Sequence, residues 1–136
     1  MNGFVDDRSR ALLRVPVSAL RNGERIDLVA WIDTAFNGGL ALPRKQVAKL
    51  GLLQQSSAEA ILADGRTVEL ETFACFLDWF GNTYETQVAA SDGEYPLLGT
   101  ILLDSQRLDI NYGAKTVRLT LMAEEVNSHE SQERRP

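Results

Sequence analysis

Turn-forming dipeptides divide this chain into short segments, and they constrain its fold more than any other feature. The segments between them are apolar or alternate polar with apolar residues, which is the pattern of β-strands. Asn-Gly and Asp-Gly favour the tight turns of hairpins, so the pattern predicts an all-β fold with mostly antiparallel strands. A closed or nearly closed barrel is the natural way to protect so many short strands. The dipeptides are Asn22-Gly23, Asp64-Gly65, Gly81-Asn82, Asp92-Gly93 and Tyr112-Gly113.

The sequence predicts one domain over residues 11–121, with two short helices among its strands. Pro16 cannot donate a ladder hydrogen bond, so its strand is placed at a sheet edge or a bulge. Residues 1–10 are polar and are predicted to be flexible. The charged tail 122–136 cannot bury much apolar surface and is predicted to be disordered. The predicted strands cover residues 11–17, 25–32, 40–42, 58–63, 67–80, 83–90, 107–110 and 116–121, and the predicted helices cover 43–50 and 96–105.

Composition excludes several classes of function. The chain has 136 residues, of which 44% are hydrophobic, which is enough for one domain with a core. Its net charge of -5 argues against nucleic-acid binding, because such proteins carry basic patches. No apolar run approaches the roughly 20 residues of a membrane span. The first residues lack the pattern of a signal peptide, so a cytoplasmic location is expected.

Cysteine and histidine are too few for most nucleophilic or metal chemistry. Cys75 is the only cysteine and lies in the apolar stretch Phe73–Leu77, where it is expected to be a buried core residue. His129 is the only histidine and lies in the polar tail. Cys-His and Ser-His catalysis and a zinc site are therefore poorly supported, and no metal or cofactor is expected.

Three motifs in a fixed order carry a family resemblance. The apolar strand Leu28–Ile32, whose end is expected to be buried on both faces, leads into Asp33–Pro43, which reads Asp-Thr-Ala-Phe-Asn-Gly-Gly-Leu-Ala-Leu-Pro. Ala63-Asp64-Gly65 follows at a hairpin turn, and Leu97-Leu98-Gly99 lies further downstream. With these motifs the chain resembles the retropepsin-like aspartic proteases over roughly Leu12 to Leu121.

The resemblance implies a fold, a partner and a mechanism. It implies a single-lobe acid-protease barrel that works as a homodimer, in which Asp33 of each subunit contributes to one catalytic pair. Thr34 would reach the partner's loop, and Ala35 would complete the catalytic triplet. Ala63-Asp64-Gly65 would form a flap over an extended peptide or protein substrate, and Leu97-Leu98-Gly99 would support the aspartate loop.

Other interpretations stay open at this point. Ala35 stands where the family usually has glycine, and its methyl group disfavours a positive φ. Asp33 is equally a residue type that forms turns, and the same barrel could bind a peptide or a protein without cutting it. A cofactor-dependent enzyme lacks support, because no glycine-rich phosphate loop follows a strand. Trp31 suits the core or a dimer interface, and Trp79 with Phe80 suits the core or a specificity pocket.

Overall fold

Ten strands and two short helices make up the residues that the computed structural model describes, which are 1–61 and 64–122. Neither helix in these ranges has the length and apolar character needed to cross a bilayer. The elements are β1 (Asn2–Val5), β2 (Ala11–Ser18), β3 (Ile26–Ile32), β4 (Leu40–Pro43), α1 (Arg44–Leu50), β5 (Leu53–Ile61), β6 (Thr67–Trp79), β7 (Asn82–Ser91), β8 (Leu97–Leu98), α2 (Thr100–Leu103), β9 (Gln106–Asn111) and β10 (Thr116–Leu121).

Six strands close into a barrel. The strand order is β5-β6-β7-β4-β8-β3-β2-β1-β10-β9, and β2 also pairs with β6, which closes the ring β2-β3-β8-β4-β7-β6. β5 extends the sheet beyond β6, and β1, β10 and β9 extend it beyond β2. The pairs β3–β8 and β4–β7 are parallel, and the other ladders are antiparallel. The predicted all-β, mostly antiparallel barrel with two short helices is confirmed.

The strand before Asp33 is buried on one face only. Leu28, Ala30 and Ile32 point into the core and are at most 6% exposed. Trp31, which alternates with them, is 39% exposed. The prediction that both faces are buried at this end is wrong, because successive side chains of a strand point to opposite faces and only one faces the barrel core.

Trp79 and Cys75 are buried in the core, which is the expectation for Cys75 and one of the two interpretations of Trp79. Trp79 is 5% exposed and meets the ring of Phe80 edge to face, with 5.8 Å between the ring centroids. Cys75 is fully buried, and burial raises the pKa of its thiol to about 11. A thiol in that environment stays protonated near neutral pH, so Cys75 is a packing residue.

The N-terminal segment is more ordered than the sequence predicts. Instead of a flexible stretch over residues 1–10, the structure has the strand Asn2–Val5 between β2 and β10. The amino group of Met1 donates to the carbonyl oxygen of Leu119 at 2.7 Å. This strand is stabilised by pairing with a distant part of the chain, which its short local pattern cannot indicate. At the other end, residues 123–136 lie outside the described residues.

Several element boundaries differ from the prediction. β5 begins at Leu53, five residues before the predicted strand 58–63, because residues 53–57 pair with β6. Leu97 and Leu98 form a strand between β3 and β4 and are not the start of a helix, which begins at Thr100. Pairing on both sides decides the conformation of this short apolar run, and periodicity alone cannot. Gly51 ends α1 with φ 68°, directly after the predicted helix 43–50.

Pro16 lies on a strand that is interior to the sheet, whereas the sequence places it at an edge or a bulge. β1 pairs with β2 at Ala11 and Leu12, and β6 pairs with β2 at Val17 and Ser18. Pro16 falls between these two ladders and lies opposite Asp27 of β3. A residue without an N–H is tolerated here because β2 is paired with a neighbouring strand on one side only at this position.

Candidate active site

Asp33 follows the last residue of β3 and is fixed by both its backbone and its side chain. Its N–H donates to the carbonyl oxygen of Leu98 at 2.9 Å, and its own carbonyl oxygen accepts from the N–H of Phe36 at 3.1 Å. The N–H of Ala35 donates to Oδ1 of Asp33 at 2.9 Å. The residue is half-buried, and its carboxylate is therefore oriented at the surface of the barrel and not within the core.

The loop after Asp33 is braced by the start of α2. The N–H of Gly99 donates to the carbonyl oxygen of Gly39 at 2.8 Å, and the N–H of Thr100 donates to that of Phe36 at 2.8 Å. The N–H of Ile101 donates to the carbonyl oxygen of Gly38 at 3.1 Å. These bonds satisfy the free N–H groups at the helix start with carbonyls of the aspartate loop. Thus two loops that are distant in the sequence form one rigid unit.

Gly99 is where the two loops come closest. A Cβ atom placed on Gly99 would lie 2.6 Å from the carbonyl oxygen of Phe36 and would also meet the carbonyl oxygen of Gly38. The backbone at Gly99 is extended, with φ -104°, so the requirement for glycine comes from space and not from conformation. Leu98 is fully buried beside it, and Leu97 pairs with Trp31. The predicted supporting residues therefore lie directly against the aspartate loop.

Thr100 and Phe36 belong to this unit, although sequence reasoning did not select them. Besides its N–H, Thr100 offers its hydroxyl, which lies 3.3 Å from the carbonyl oxygen of Phe36. The signal that could have found Thr100 is its place directly after Leu97-Leu98-Gly99, at the first position of a helix. Phe36 lies within the motif Asp33–Pro43, but the sequence assigns no role to it.

Ala35 is compatible with the conformation of its loop. Among the described residues other than glycine, φ is positive only at Ser9, Phe80, Ser105 and Lys115. Ala35 therefore does not require the left-handed conformation that its methyl group would disfavour. Thr34 and Ala35 are both exposed, so their side chains are accessible to another molecule.

The predicted flap is the end of a long hairpin. β5 and β6 pair from Leu53 opposite Ala74 to Ile61 opposite Thr67. The turn contains Gly65 with φ 87°, and Asp64 accepts from the N–H of Arg66 at 3.0 Å. Ala63 lies outside the described residues. The described hydrogen bonds of the Asp33 loop lead to residues 98–101, and none of them joins it to Asp64 or Gly65.

A cluster of an arginine and two aromatic rings lies next to this loop. The N–H of Trp31 donates to the carbonyl oxygen of Pro96 at 2.9 Å, and its ring meets that of Tyr95 edge to face at 6.5 Å. The guanidinium of Arg10 lies 4.2 Å from the centroid of Tyr95 and is paired with Asp6 at 2.7 Å. The hydrogen bond from the Arg10 side chain holds the pKa of the Asp6 carboxyl below its usual value. These residues come from separate segments, so no local pattern could indicate the cluster.

Solved structures resemble this arrangement of strands and loops. EIAV protease, solved as a complex with the inhibitor HBY-793, superposes with a TM-score of 0.52 and covers 72% of this chain and 88% of its own, at 17% identity. This chain has the retropepsin-like fold. The solution structure of the simian foamy virus (mac) protease gives a TM-score of 0.49 at 16% identity, with 68% of this chain and 90% of that one covered. No protein-family model and no curated protein matches the sequence.

The loop that α2 braces presents one carboxylate, that of Asp33. In the described parts of the chain, no group of three or more His, Cys, Asp or Glu side chains could hold a metal ion. The carboxylate at the braced loop is that of Asp33. This loop supplies an oriented carboxylate at the surface, next to exposed Thr34 and Ala35.

Proposed function

We propose that this protein is a homodimeric aspartic endopeptidase. The observation that carries the proposal is the bracing of the Asp33 loop by residues 98–101, which holds one carboxylate in a fixed orientation on a retropepsin-like barrel. Fold alone does not establish an activity, so the proposal depends on this site. Preorganised groups are what catalysis requires, because a loosely held carboxylate loses most of its effect.

The chemistry needs two carboxylates. Water is a weak nucleophile and an amide is a poor electrophile. One ionised carboxylate can take a proton from water while a protonated one donates to the carbonyl oxygen of the peptide. Two carboxylates about 3 Å apart do not both ionise easily, so the pair keeps one proton, and its titration belongs to both groups.

A single chain supplies one such carboxylate, so the second must come from another copy. A two-fold axis would place Asp33 beside Asp33 of the partner subunit. Thr34 is exposed and would contact the partner's loop, as the family resemblance implies. In this arrangement the substrate cleft lies between two subunits and not within one barrel.

The β5–β6 hairpin would cover the cleft. An extended peptide can bind through main-chain hydrogen bonds, and a hairpin that closes over it excludes water. The turn at Asp64-Gly65 is exposed at the end of this hairpin, which suits a lid. The substrate class is therefore an extended segment of a peptide or protein.

A catalytically silent domain that binds a peptide is the alternative, and one observation favours it. Asp33 accepts from the N–H two residues later, and Asp64 does the same with Arg66. Such a bond is typical of turn-forming aspartates, so Asp33 could serve only to shape its loop. In that case the protein would bind peptides and leave them intact.

The variant Asp33→Asn separates the two functions. Asparagine keeps an oxygen that can accept from the N–H of Ala35, so the loop is preserved while the acid–base group is lost. For an endopeptidase we expect no cleavage of an unstructured protein substrate by this variant, with its fold and dimer unchanged. Asp7→Asn, which removes an exposed carboxylate elsewhere, is the matched control and should cleave normally. Cleavage that persists in Asp33→Asn contradicts the proposal.

Mixing the subunits tests the shared site. After subunit exchange in an equal mixture of wild type and Asp33→Asn, about one quarter of the dimers carry two aspartates, by random pairing. We therefore expect the mixture to have about one quarter of the activity of a wild-type sample at the same total dimer concentration. Activity of about one half would show that each subunit works alone.

A further inference from the structure

A groove lies between α2 and the turn that joins β6 to β7. Its volume is about 290 Å³, and aromatic and aliphatic side chains line much of it. Tyr84 is 49% exposed and Ile101 is 63% exposed, so both present open surface to the groove. Leu121, at the end of β10, lines the same groove and is 48% exposed. The groove is therefore an apolar surface that no described residue covers.

Two carboxylates, those of Glu85 and Asp104, also line this groove, and both residues are exposed. Neither takes part in an ion pair among the described residues. A guanidinium can stack on an aromatic ring and donate to a carboxylate at the same time. Arg10 already does this elsewhere in the molecule, over Tyr95 and paired with Asp6. The groove thus offers the two kinds of partner that bind an arginine side chain.

The described part of the chain ends beside this groove. The N–H of Met122 donates to the carbonyl oxygen of Ser105 at 2.9 Å, which holds the end of β10 next to α2. Residues 123–136 follow, and they carry four glutamates and the two arginines Arg134 and Arg135. The groove carboxylates repel the glutamates and attract the arginines. Charge complementarity therefore selects the two arginines as the part of this segment that suits the groove.

We infer that Arg134 and Arg135 bind in this groove on their own subunit. One guanidinium would lie over the exposed ring of Tyr84, and the carboxylates of Glu85 and Asp104 would accept hydrogen bonds from the pair. Charge-assisted hydrogen bonds of this kind are stronger than those between neutral groups. The occupant of the groove is thus a segment of the same chain.

The length of the connecting segment allows this contact. Eleven residues separate Met122 from Arg134. Fully extended, they span about 40 Å, and as a flexible chain their ends lie about 20 Å apart on average. A short tether gives its ends an effective concentration in the millimolar range. Even a contact with a dissociation constant of about 1 mM would therefore be formed about half of the time.

Binding in the groove would reach the brace of the Asp33 loop. Ile101 lines the groove with its side chain, and its N–H donates to the carbonyl oxygen of Gly38 at 3.1 Å. Arginines bound there would cover α2 at the residue that holds this loop. The contact does not depend on whether Asp33 is catalytic, so its test measures binding and not cleavage.

Disulfide trapping tests the contact in the full-length protein. The variant N82C/P136C places one thiol on the groove, which Asn82 lines, and one thiol next to the two arginines. In a glutathione buffer, we expect its internal disulfide to form about fivefold more readily, or better, than in the same variant carrying R134Q/R135Q. Cys75 is fully buried and does not compete.

The matched control adds S128E/S131E to N82C/P136C in place of R134Q/R135Q. Both pairs of substitutions lower the net charge by two, but the control keeps both arginines, so it should trap nearly as well as the parent. Equal trapping with and without the arginines overturns the inference. A disulfide found only in a product of twice the mass also overturns it, because residues 123–136 would then bind to another copy.

Charge exchange tests the two carboxylates as partners. Adding E85R/D104R to N82C/P136C should lower trapping to the level seen with R134Q/R135Q. Adding R134E/R135E as well restores opposite charges and should recover most of the trapping. A lack of recovery contradicts the assignment of these carboxylates, provided that thermal unfolding shows that each variant folds.

Hydrogen exchange measures the effect on α2 without added cysteines. We expect the N–H of Ile101 to exchange about twofold faster or more in R134Q/R135Q than in wild type, because its groove is then uncovered more often. The variant S128E/S131E should exchange as wild type does. The same rate in all three proteins contradicts a contact between the arginines and α2.

Discussion

The backbone N–H of Asp33 donates to the carbonyl oxygen of Leu98 at 2.9 Å. Ile32 is already opposite Leu98 in the parallel ladder between β3 and β8, so this bond carries the ladder one residue further, into the loop. β8 is held on its other side by β4. The candidate carboxylate is therefore placed by the interior of the barrel, and its position depends on the packing of β8 rather than on the loop alone.

Replacing Gly99 with alanine should disrupt this placement. The new methyl group would lie 2.6 Å from the carbonyl oxygen of Phe36, which neither backbone can relieve without moving. We expect Gly99→Ala to lower the free energy of unfolding by about 1–3 kcal/mol, as overpacking does elsewhere. Urea denaturation measures the change. Gly113→Ala is the control, since its nearest neighbour would be 3.5 Å away, and an equal loss there would contradict the role of close approach.

Cys75 should react slowly with alkylating reagents in the folded protein. Burial raises the pKa of its thiol from 9.0 to about 11, so the thiolate at pH 8 is about 100-fold rarer than in the unfolded chain. We expect rapid modification of Cys75 in urea. Without urea, the rate should be lower by at least this factor of about 100, as measured by mass spectrometry. The thiol is acidic and its folded pKa is raised, so ionisation should cost stability as the pH rises from about 9 toward 11. Equal rates in the two states would show that the site opens freely.

Asp78 should make stability depend on acid pH. Its carboxylate accepts from Nε of Arg25 at 3.1 Å, and this hydrogen bond lowers the pKa of Asp78 below 3.8. A carboxyl group with a depressed folded pKa contributes stability above its unfolded pKa and loses it as the pH falls through the folded value. We expect Asp78→Asn to be less stable than wild type at pH 7, with the difference shrinking below about pH 4. Urea titrations at pH 7 and pH 3 compare them, and a difference that is constant with pH would contradict the ion pair.

The sequence indicates the local parts of this site better than the distant ones. Asp33 can be found from the sequence because it follows an apolar run at a turn. Leu97-Leu98-Gly99 can be found because it forms a short apolar run at a turn. β1 is not visible, since the strand Asn2–Val5 depends on pairing with β10 near the other end of the domain. The exposure of Trp31 also escapes the sequence, because an apolar run does not reveal which face lacks a covering layer. The features that can be predicted depend on residues that are close in the sequence. The features that are missed depend on contacts with strands that are distant in the sequence.

Arg10 and Tyr95 are distant in the sequence and in contact in the fold, and removing this contact should expose more of the Trp31 ring. The guanidinium of Arg10 lies 4.2 Å from the centroid of Tyr95 and 5.6 Å from that of Trp31, so its side chain covers part of both rings. We expect Arg10→Ala to increase the quenching of Trp31 fluorescence by acrylamide and to lower the urea midpoint. Trp79 is 5% exposed and should stay protected in both proteins.

Arg14→Ala is the matched control for this prediction. Arg14 lies on β2 opposite Val29, and its guanidinium lies 5.7 Å from the centroid of Phe4. Arg14→Ala should leave the quenching of Trp31 fluorescence by acrylamide unchanged. Arg10→Lys keeps the charge but loses the flat guanidinium that stacks on a ring, so it should resemble Arg10→Ala in quenching. If Arg10→Lys behaved as wild type, charge near Asp6 would be what matters, and stacking on Tyr95 and Trp31 would not be the cause.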